Sequence, residues 1–159
     1  MKPQLKTSAQ KIQDILHQYA LCLEVIEFQE TTRTSQEAAA AIGCEVGQIA
    51  KTLIFKGKKT GKPICIIASG KNRVDERKII QMFGEEIEKP DGEFVLKHTG
   101  FAIGGVTPIG YALDTKPFID ADLMNYSEIW AAAGTPNSVF KLTPKILLYI
   151  TQGTVSLFK

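Results

Sequence analysis

The segment that most restricts the fold is residues 100–110, which read Gly-Phe-Ala-Ile-Gly-Gly-Val-Thr-Pro-Ile-Gly. Four glycines and a proline in eleven positions are too many for an ordinary strand or helix. Glycine allows a close backbone approach that a Cβ would block, and proline fixes φ and removes a donor. We therefore predict a rigid loop, anchored by its apolar residues. Such a loop can offer backbone N–H groups to a carbonyl oxygen, an oxyanion or a phosphate.

Lys51 is a charged residue inside the otherwise apolar run Ile49–Phe55. A lysine in such a strand costs free energy unless its ammonium is paired or faces a polar cavity. The alternative is a lysine at the strand edge that extends its ammonium to solvent. The pattern alone favours neither interpretation, so Lys51 is a candidate functional residue.

Length and composition predict one ordinary globular domain over residues 1–159. The chain is 44% hydrophobic and 23% charged, which allows a sizeable core. A net charge of only +2 excludes a general nucleic-acid coat. The apolar runs are too short for a membrane span, and Met1–Gln4 lacks the apolar core of a signal peptide. We expect a cytoplasmic protein with no membrane partner.

Local basic clusters are compatible with tRNA phosphates, although an ordinary solvated turn explains the first of them equally well. The clusters are Lys56, Lys58, Lys59 and Lys62, followed by Lys71, Arg73, Arg77 and Lys78.

The cysteines and histidines narrow the possible chemistry. Cys22, Cys44 and Cys65 lack metal-site spacing, so we expect free structural thiols and no metal. Of the two histidines, His98 precedes the glycine loop and can approach a site there, although a packing role fits it as well.

Periodicity and capping signals predict a mixture of helices and strands that does not alternate strictly, which disfavours a doubly wound sheet. The predicted helices cover 9–19, 35–42, 76–83, a short segment from 91, and 144–151. The predicted strands cover 24–28, 49–56, 63–69, 117–122, 128–133, 139–142 and 154–157.

Four motifs in order resemble the YbaK/EbsC family of aminoacyl-tRNA editing domains, relatives of the domain inserted in some bacterial prolyl-tRNA synthetases. The motifs are Ala50–Leu53, Ala68–Asp75, Gly104–Gly110, and Ala133–Asn137 through Pro144. The resemblance extends from about Leu23 to Leu157. It implies an α/β (mixed) fold, with a barrel-like sheet surrounded by helices.

The resemblance also implies a free-standing trans-editing hydrolase that deacylates mischarged aminoacyl-tRNA without a metal or organic cofactor. The implied partners are the acceptor end of the tRNA and a prolyl-tRNA synthetase. Lys51–Thr52 is similar to cysteine-removing members, which favours Cys-tRNA(Pro) or another small amino acid on tRNA(Pro). The cysteine-removing members have an acidic residue in this region, whereas Asn137–Phe140 of this chain contains none. This difference argues against cysteine specificity.

The implied catalytic groups are the Lys51 ammonium and the backbone N–H groups of Gly104 and Gly105. In an ideal strand Thr52 faces away from Lys51, so a twist or bulge is needed to bring it into the site. The small residues Ala131–Gly134 either leave room for the amino acid or permit close packing. The expected substrate-binding residues are Thr52, Ser69, Gly70, His98, Thr107, Pro108, Gly110 and Gly134.

Two other function classes stay open on the sequence. One is a non-catalytic tRNA-end or nucleotide-binding module associated with a synthetase. The other is a thiol-dependent enzyme that uses Cys65 or Cys44.

Overall fold

The computed structural model describes residues 7–19, 21–29, 34–103, 105–109 and 116–157. Its helices are α1 (Thr7–Gln18), α2 (Ser35–Ile42), α3 (Glu76–Phe83), α4 (Gly92–Thr99) and α5 (Pro144–Thr151). Its strands are β1 (Val25–Glu27), β2 (Ile49–Gly57), β3 (Pro63–Ser69), β4 (Ile87–Glu88), β5 (Phe118–Asp120), β6 (Ile129–Ala132), β7 (Ser138–Leu142) and β8 (Thr154–Ser156).

Side-chain caps explain why several helices begin where they do. The Thr34 hydroxyl accepts a hydrogen bond from the Glu37 N–H at 3.0 Å, and the Asp91 carboxylate accepts one from the Phe94 N–H at 2.8 Å. These interactions satisfy backbone donors that have no partner inside the helix. Gly43 ends α2 with a φ of 84°, a left-handed conformation that glycine adopts without a steric penalty.

One mixed sheet joins the strands in the order β1-β7-β6-β2-β3-β5-β8, and β4 pairs with β2 off this path. β2 and β3, which correspond to the predicted strands 49–56 and 63–69, form an antiparallel hairpin, whereas β2–β6, β3–β5 and β5–β8 are parallel pairs. The predicted mixed α/β class is confirmed. Both β-ladder senses occur because hairpins and longer crossovers alternate along the chain.

Two details of the strand prediction were wrong. The strand expected over 117–122 ends at Asp120, because the Asp120 carboxylate accepts a hydrogen bond from the Asp122 N–H at 3.0 Å and opens the 3₁₀ helix Ala121–Asn125. The short strand β4 was not predicted. It lies beside the turn that joins β2 to β3. There Lys56 pairs with Glu88 at 4.0 Å, and Lys58 pairs with Glu86 at 3.7 Å.

The two faces of β2 contribute to two apolar clusters. Ala50 and Ile54 belong to the main cluster, which also includes residues of α1, α4, α5 and the glycine loop. Leu53 and Phe55 belong to a second cluster that is packed against α3. β2 is therefore the central strand that positions the candidate site. No helix in the described ranges is long and apolar enough to cross a lipid bilayer.

Candidate active site

A cleft of about 420 Å³ opens along one edge of β2. β2 pairs with β6 only at Ile49 and Ala50, and with β4 only at Lys56 and Gly57. Among the described residues, those between these points have a β-ladder only on the side toward β3. The cleft is lined by Thr34, Ser35, Gln36, Ala38, Ile49, Ala50, Lys51, Thr52, Leu53, Gly70, Ile103, Val106, Trp130, Ala131, Ala132, Thr135 and Val139.

Among the described residues that line this cleft, Lys51 carries the cationic side chain. Its Nζ donates a hydrogen bond to the backbone oxygen of Asn72 at 3.1 Å. Burial lowers the pKa of Lys51 below its usual value, and the negative charge of Asp120 partly offsets that effect. An ammonium has three donors. In the described part of the chain Nζ makes that one hydrogen bond, so it can still bind a carbonyl oxygen, an oxyanion or a phosphate.

A buried carboxylate holds the turn that positions Lys51. Asp120 is 2% exposed, and its Oδ2 accepts hydrogen bonds from the Ser69 N–H at 3.0 Å and the Asn72 side-chain amide at 2.9 Å. The Asn72 amide also donates to Asp122 Oδ2 at 2.7 Å. Asp120 thereby fixes the residue whose backbone oxygen holds the Lys51 ammonium. Sequence reasoning missed Asp120, which is distant in the chain and belongs to none of the motifs.

Gly70 lies where the first turn of α2 meets the cleft. A Cβ on Gly70 would lie 2.5 Å from the Val46 backbone oxygen and 2.7 Å from the Ser35 Cβ. The lack of a side chain at Gly70 therefore allows α2 to approach β3 closely. This approach places Thr34, Ser35 and Gln36 in the cleft wall. The sequence did not predict their position there, because the capping motif that they form at the start of α2 has an ordinary structural role.

The glycine loop contributes differently from expectation. The Gly105 N–H donates to the Ala102 backbone oxygen at 3.0 Å, so this donor is engaged within the loop and is not offered to a substrate. A Cβ on Gly105 would lie 3.0 Å from the Thr135 Cα, so this glycine permits close backbone packing. Gly104 and Gly110 lie outside the described residues. Ile103 and Val106 line the cleft, and the Ile103 side chain is 61% exposed at its rim.

Ser69, Thr107 and Pro108 are buried and do not line the cleft. The Ser69 hydroxyl donates to the Gly47 backbone oxygen at 2.6 Å, and the Thr107 hydroxyl accepts from the Ile109 N–H at 3.4 Å. The structure therefore places these residues behind the cleft wall, where they stabilise the backbone of the β3 end and of the loop.

Gly134 closes the turn between β6 and β7, and it packs behind the wall. Its φ is 94°, and a Cβ there would lie 2.8 Å from the Ser8 backbone oxygen. Ala131 and Ala132 border the cleft, whereas Gly134 permits close packing.

We expect Gly134→Ala to lower the free energy of unfolding by about 2 kcal/mol, because a strained backbone conformation and a steric clash add together. Gly43→Ala is the matched control, since Gly43 has a φ of 84° with nothing within 4 Å of a Cβ. The control should cost about 1 kcal/mol from backbone strain alone. Urea unfolding of both variants measures the difference, and equal losses would mean that the contact with Ser8 is unimportant.

His98 lies on α4 and does not line the cleft. Its ring contacts that of Phe94 in a tilted arrangement with a centroid distance of 4.2 Å, and its Nδ1 is buried without a hydrogen-bond partner among the described residues. Burial, together with the positive charges of Lys97 and Lys56, lowers the pKa of His98. The packing alternative fits these contacts better than the substrate-binding one.

We expect His98→Leu to change turnover of an aminoacyl-tRNA by no more than about threefold, because truncation distant from a reacting group removes little transition-state binding. The pH dependence of turnover should stay unchanged as well. A loss of the order of 100-fold would instead place His98 in the chemistry.

None of the three cysteines is among the residues that line the cleft. Cys65 is 1% exposed inside the main core, and Cys44 packs with the small cluster around Ala38, Ala39 and Ile49. Burial is the main cause that raises the pKa of Cys44, which disfavours the reactive thiolate. Neither cysteine lines the cleft, which weakens the thiol-enzyme alternative.

Thr52 borders both this cleft and a smaller neighbouring cavity of about 200 Å³. The β2–β3 register continues residue by residue from Ala50–Ser69 to Lys56–Pro63, so no bulge brings Thr52 into the site. Instead the cleft lies at the strand edge, where residues from both faces border it. The Thr52 hydroxyl oxygen is buried and has no hydrogen-bond partner in the part of the chain that the structure describes.

The sequence of this chain matches the aminoacyl-tRNA editing domain family over residues 29–149. The chain is 37% identical to the uncharacterized protein YwhH of Bacillus subtilis over 78% of both chains. It is 28% identical to EbsC of Enterococcus faecalis, a proposed Cys-tRNA(Pro)/Cys-tRNA(Cys) deacylase, over 96% of this chain and 92% of EbsC. It is also 33% identical to the proline–tRNA ligase of Limosilactobacillus fermentum over 57% of this chain but only 16% of the ligase.

A solved structure extends the likeness to the whole fold. The crystal structure of a proposed trans-editing enzyme for prolyl tRNA synthetase superposes with a TM-score of 0.92 and 42% sequence identity, over 98% of this chain and 99% of that one. Because the family match covers most of the chain, the protein is a member of the aminoacyl-tRNA editing domain family, the YbaK/EbsC-type deacylases that its sequence motifs resemble.

Proposed function

We propose that this protein acts in trans to hydrolyse the ester bond of mischarged aminoacyl-tRNA, with Cys-tRNA(Pro) as its preferred substrate. The observation that carries the proposal is the half-buried Lys51 ammonium in the wall of a cleft that polar and apolar side chains line together. This arrangement suits an acyl group with an uncharged side chain, whose ester carbonyl gains negative charge during attack.

In the proposed reaction, a water molecule attacks the ester carbonyl carbon and its C–O bond forms as the carbonyl electrons move to oxygen. The Lys51 ammonium stabilises the resulting oxyanion, or holds the adjacent 3′ end of the tRNA in place. Collapse of the tetrahedral intermediate then breaks the bond to the ribose oxygen. That oxygen takes up the proton that the attacking water has lost, and the products are the free amino acid and uncharged tRNA.

One part of the cleft wall favours a small amino acid. Ala131, Ala132 and Val139 line that part with short side chains, and the Thr52 hydroxyl has no hydrogen-bond partner among the described residues. Cysteine is small and carries one weakly polar atom. The name of EbsC gives cysteinyl-tRNA as the substrate of that relative. A second hydrolytic site of this kind supplies discrimination that a synthetase pocket cannot reach by binding alone.

Likeness to part of a proline–tRNA ligase supports tRNA(Pro) as the carrier and association with a prolyl-tRNA synthetase. The basic cluster Lys56, Lys58, Lys59 and Lys62 gives little support to general tRNA binding, because Lys56 and Lys58 already pair with glutamates.

The proposal is tested with tRNA(Pro) charged separately with Cys, Ala, Ser, Thr and Pro, each incubated with a catalytic amount of protein. We expect the fastest release from Cys-tRNA(Pro) and no release from Pro-tRNA(Pro) above the uncatalysed rate. Faster release of alanine, serine or threonine would correct the substrate and keep the reaction. Charging other tRNAs with cysteine then tests the choice of carrier.

A further inference from the structure

We propose that the substrate's aminoacyl group docks on the open edge of β2 as a one-residue antiparallel strand, and that the Thr52 backbone reads it. In this arrangement the Thr52 N–H donates to the ester carbonyl oxygen, and the Thr52 carbonyl accepts from the α-amino group. The inference rests on the proposed function and names the group that recognises the reacting atoms.

The direction of each β2 backbone group follows from its hydrogen bonds. The Gly70 N–H donates to the Ile49 oxygen at 2.7 Å, and the Gly57 N–H donates to the Lys62 oxygen at 3.0 Å. These odd-numbered β2 residues therefore face β3. Because a residue's N–H and C=O point to the same side of a strand and alternate along it, the even-numbered residues face the opposite side.

The opposite side is occupied at both ends and open in the middle. Ala50 pairs with Ala131 of β6, and the Lys58 N–H donates to the Glu86 oxygen at 2.9 Å beside β4. Thr52 and Ile54 lie between these points, and neither pairs with a strand on this side in the described part of the chain. Their backbone donors and acceptors therefore face the gap in which the cleft lies.

Thr52 fits the reacting group better than Ile54 does. Thr52 lines both cavities, adjoins Lys51, and has a buried hydroxyl without a partner, whereas Ile54 lines only the smaller cavity. Thr52 and Ile54 are partly buried, and unpaired backbone groups at such a strand edge need a ligand or water to satisfy them. Strand edges commonly bind extended ligands through main-chain hydrogen bonds.

An aminoacyl ester carries the complementary pair of groups. In an antiparallel hydrogen-bonded pair, two facing residues exchange both N–H···O bonds. The substrate's α-amino group and ester carbonyl correspond to one such residue. The Thr52 N–H then takes the role expected above for Gly105, whose own N–H is bound to Ala102.

The most direct test replaces residue 52 by the α-hydroxy analogue of threonine, which removes the N–H and keeps the side chain. We expect a loss in kcat/KM of about 100-fold, the usual effect of deleting one oxyanion donor. The same backbone replacement at Ile54 is the matched control and should stay within about threefold of the unmodified protein. Thr52→Pro and Ile54→Pro give a genetically encoded version, since proline is tolerated where a strand N–H faces away from its ladder.

Docking is measured separately from turnover with a stable amide analogue, 3′-cysteinylamino-3′-deoxyadenosine. We expect the change at residue 52 to weaken its binding about tenfold, and removal of the analogue's α-amino group to weaken binding to the unmodified protein similarly. Unchanged binding in both cases would overturn the inference, even if Lys51→Met abolishes hydrolysis. If the protein binds the analogue as expected but hydrolyses no aminoacyl-tRNA, the docking inference stands and the proposed function fails.

Discussion

Lys51→Met is expected to reduce the rate of Cys-tRNA(Pro) deacylation by about 100-fold or more, because the substitution removes the cation that stabilises developing charge. The methionine side chain keeps most of the apolar stem. Since burial is the largest influence on the Lys51 pKa and disfavours its charged form, the variant should unfold at the same temperature as the unaltered protein or higher. Single-turnover hydrolysis and thermal unfolding measure the two effects.

Lys56→Met is the matched control, because Lys56 lies on the same strand but outside the larger cleft and pairs with Glu88. Its turnover should fall by no more than about threefold. The pH dependence gives a further check, since the lowered Lys51 pKa means that the charged form is lost at a lower pH than for an ordinary lysine. Catalysed hydrolysis should decline as pH rises through that value. Full activity of Lys51→Met would contradict the assigned role.

Asp120→Ala is expected to lower the free energy of unfolding by about 3 kcal/mol, because it leaves the buried Ser69 N–H and the Asn72 amide without their acceptor. For a domain of this size, such a loss corresponds to a fall in Tm of about 10 °C. At temperatures where Asp120→Ala is still folded, its deacylation rate should be about tenfold lower than that of the unaltered protein, since Asn72 no longer holds the Lys51 ammonium in place.

Asp91→Ala is the matched control, because it removes an ordinary helix cap and leaves the buried network around Asp120 unchanged. The Asp91 carboxylate accepts from the Phe94 N–H at the exposed start of α4, so its removal should cost about 1 kcal/mol and leave turnover unchanged. Asp120 is a positioning residue. Because Asp120→Asn keeps one acceptor oxygen, this variant should retain part of the stability and of the activity that Asp120→Ala loses. Equal stability of Asp120→Ala and Asp91→Ala would contradict the role of the buried network.

The sequence predicted the elements whose signals are local. Thr34, Asp75 and Thr143 begin helices because each side chain accepts a hydrogen bond from a backbone N–H of the first turn. The β2–β3 hairpin followed from two apolar runs around a glycine-containing turn. The family followed from four motifs in their order, although each is weak alone.

Long-range geometry explains what the sequence could not predict. Asp120 reaches Asn72 across 48 positions of the chain, and no local pattern marks that contact. The open edge of β2 depends on where two other strands stop pairing. A local hydrogen bond to Ala102 engages the Gly105 N–H, which disfavours the role that was expected for this donor. Glycine density indicates a close backbone approach, but not which partner makes it.

The most direct test of the central claim is the release of cysteine from Cys-tRNA(Pro) by wild-type protein at a tenth of the substrate concentration. We predict several turnovers per protein molecule at a rate well above spontaneous ester hydrolysis, with intact tRNA(Pro) and free cysteine as the products. Tight binding of the charged tRNA without release of any amino acid tested would contradict the account. It would assign the protein to the non-catalytic tRNA-binding class.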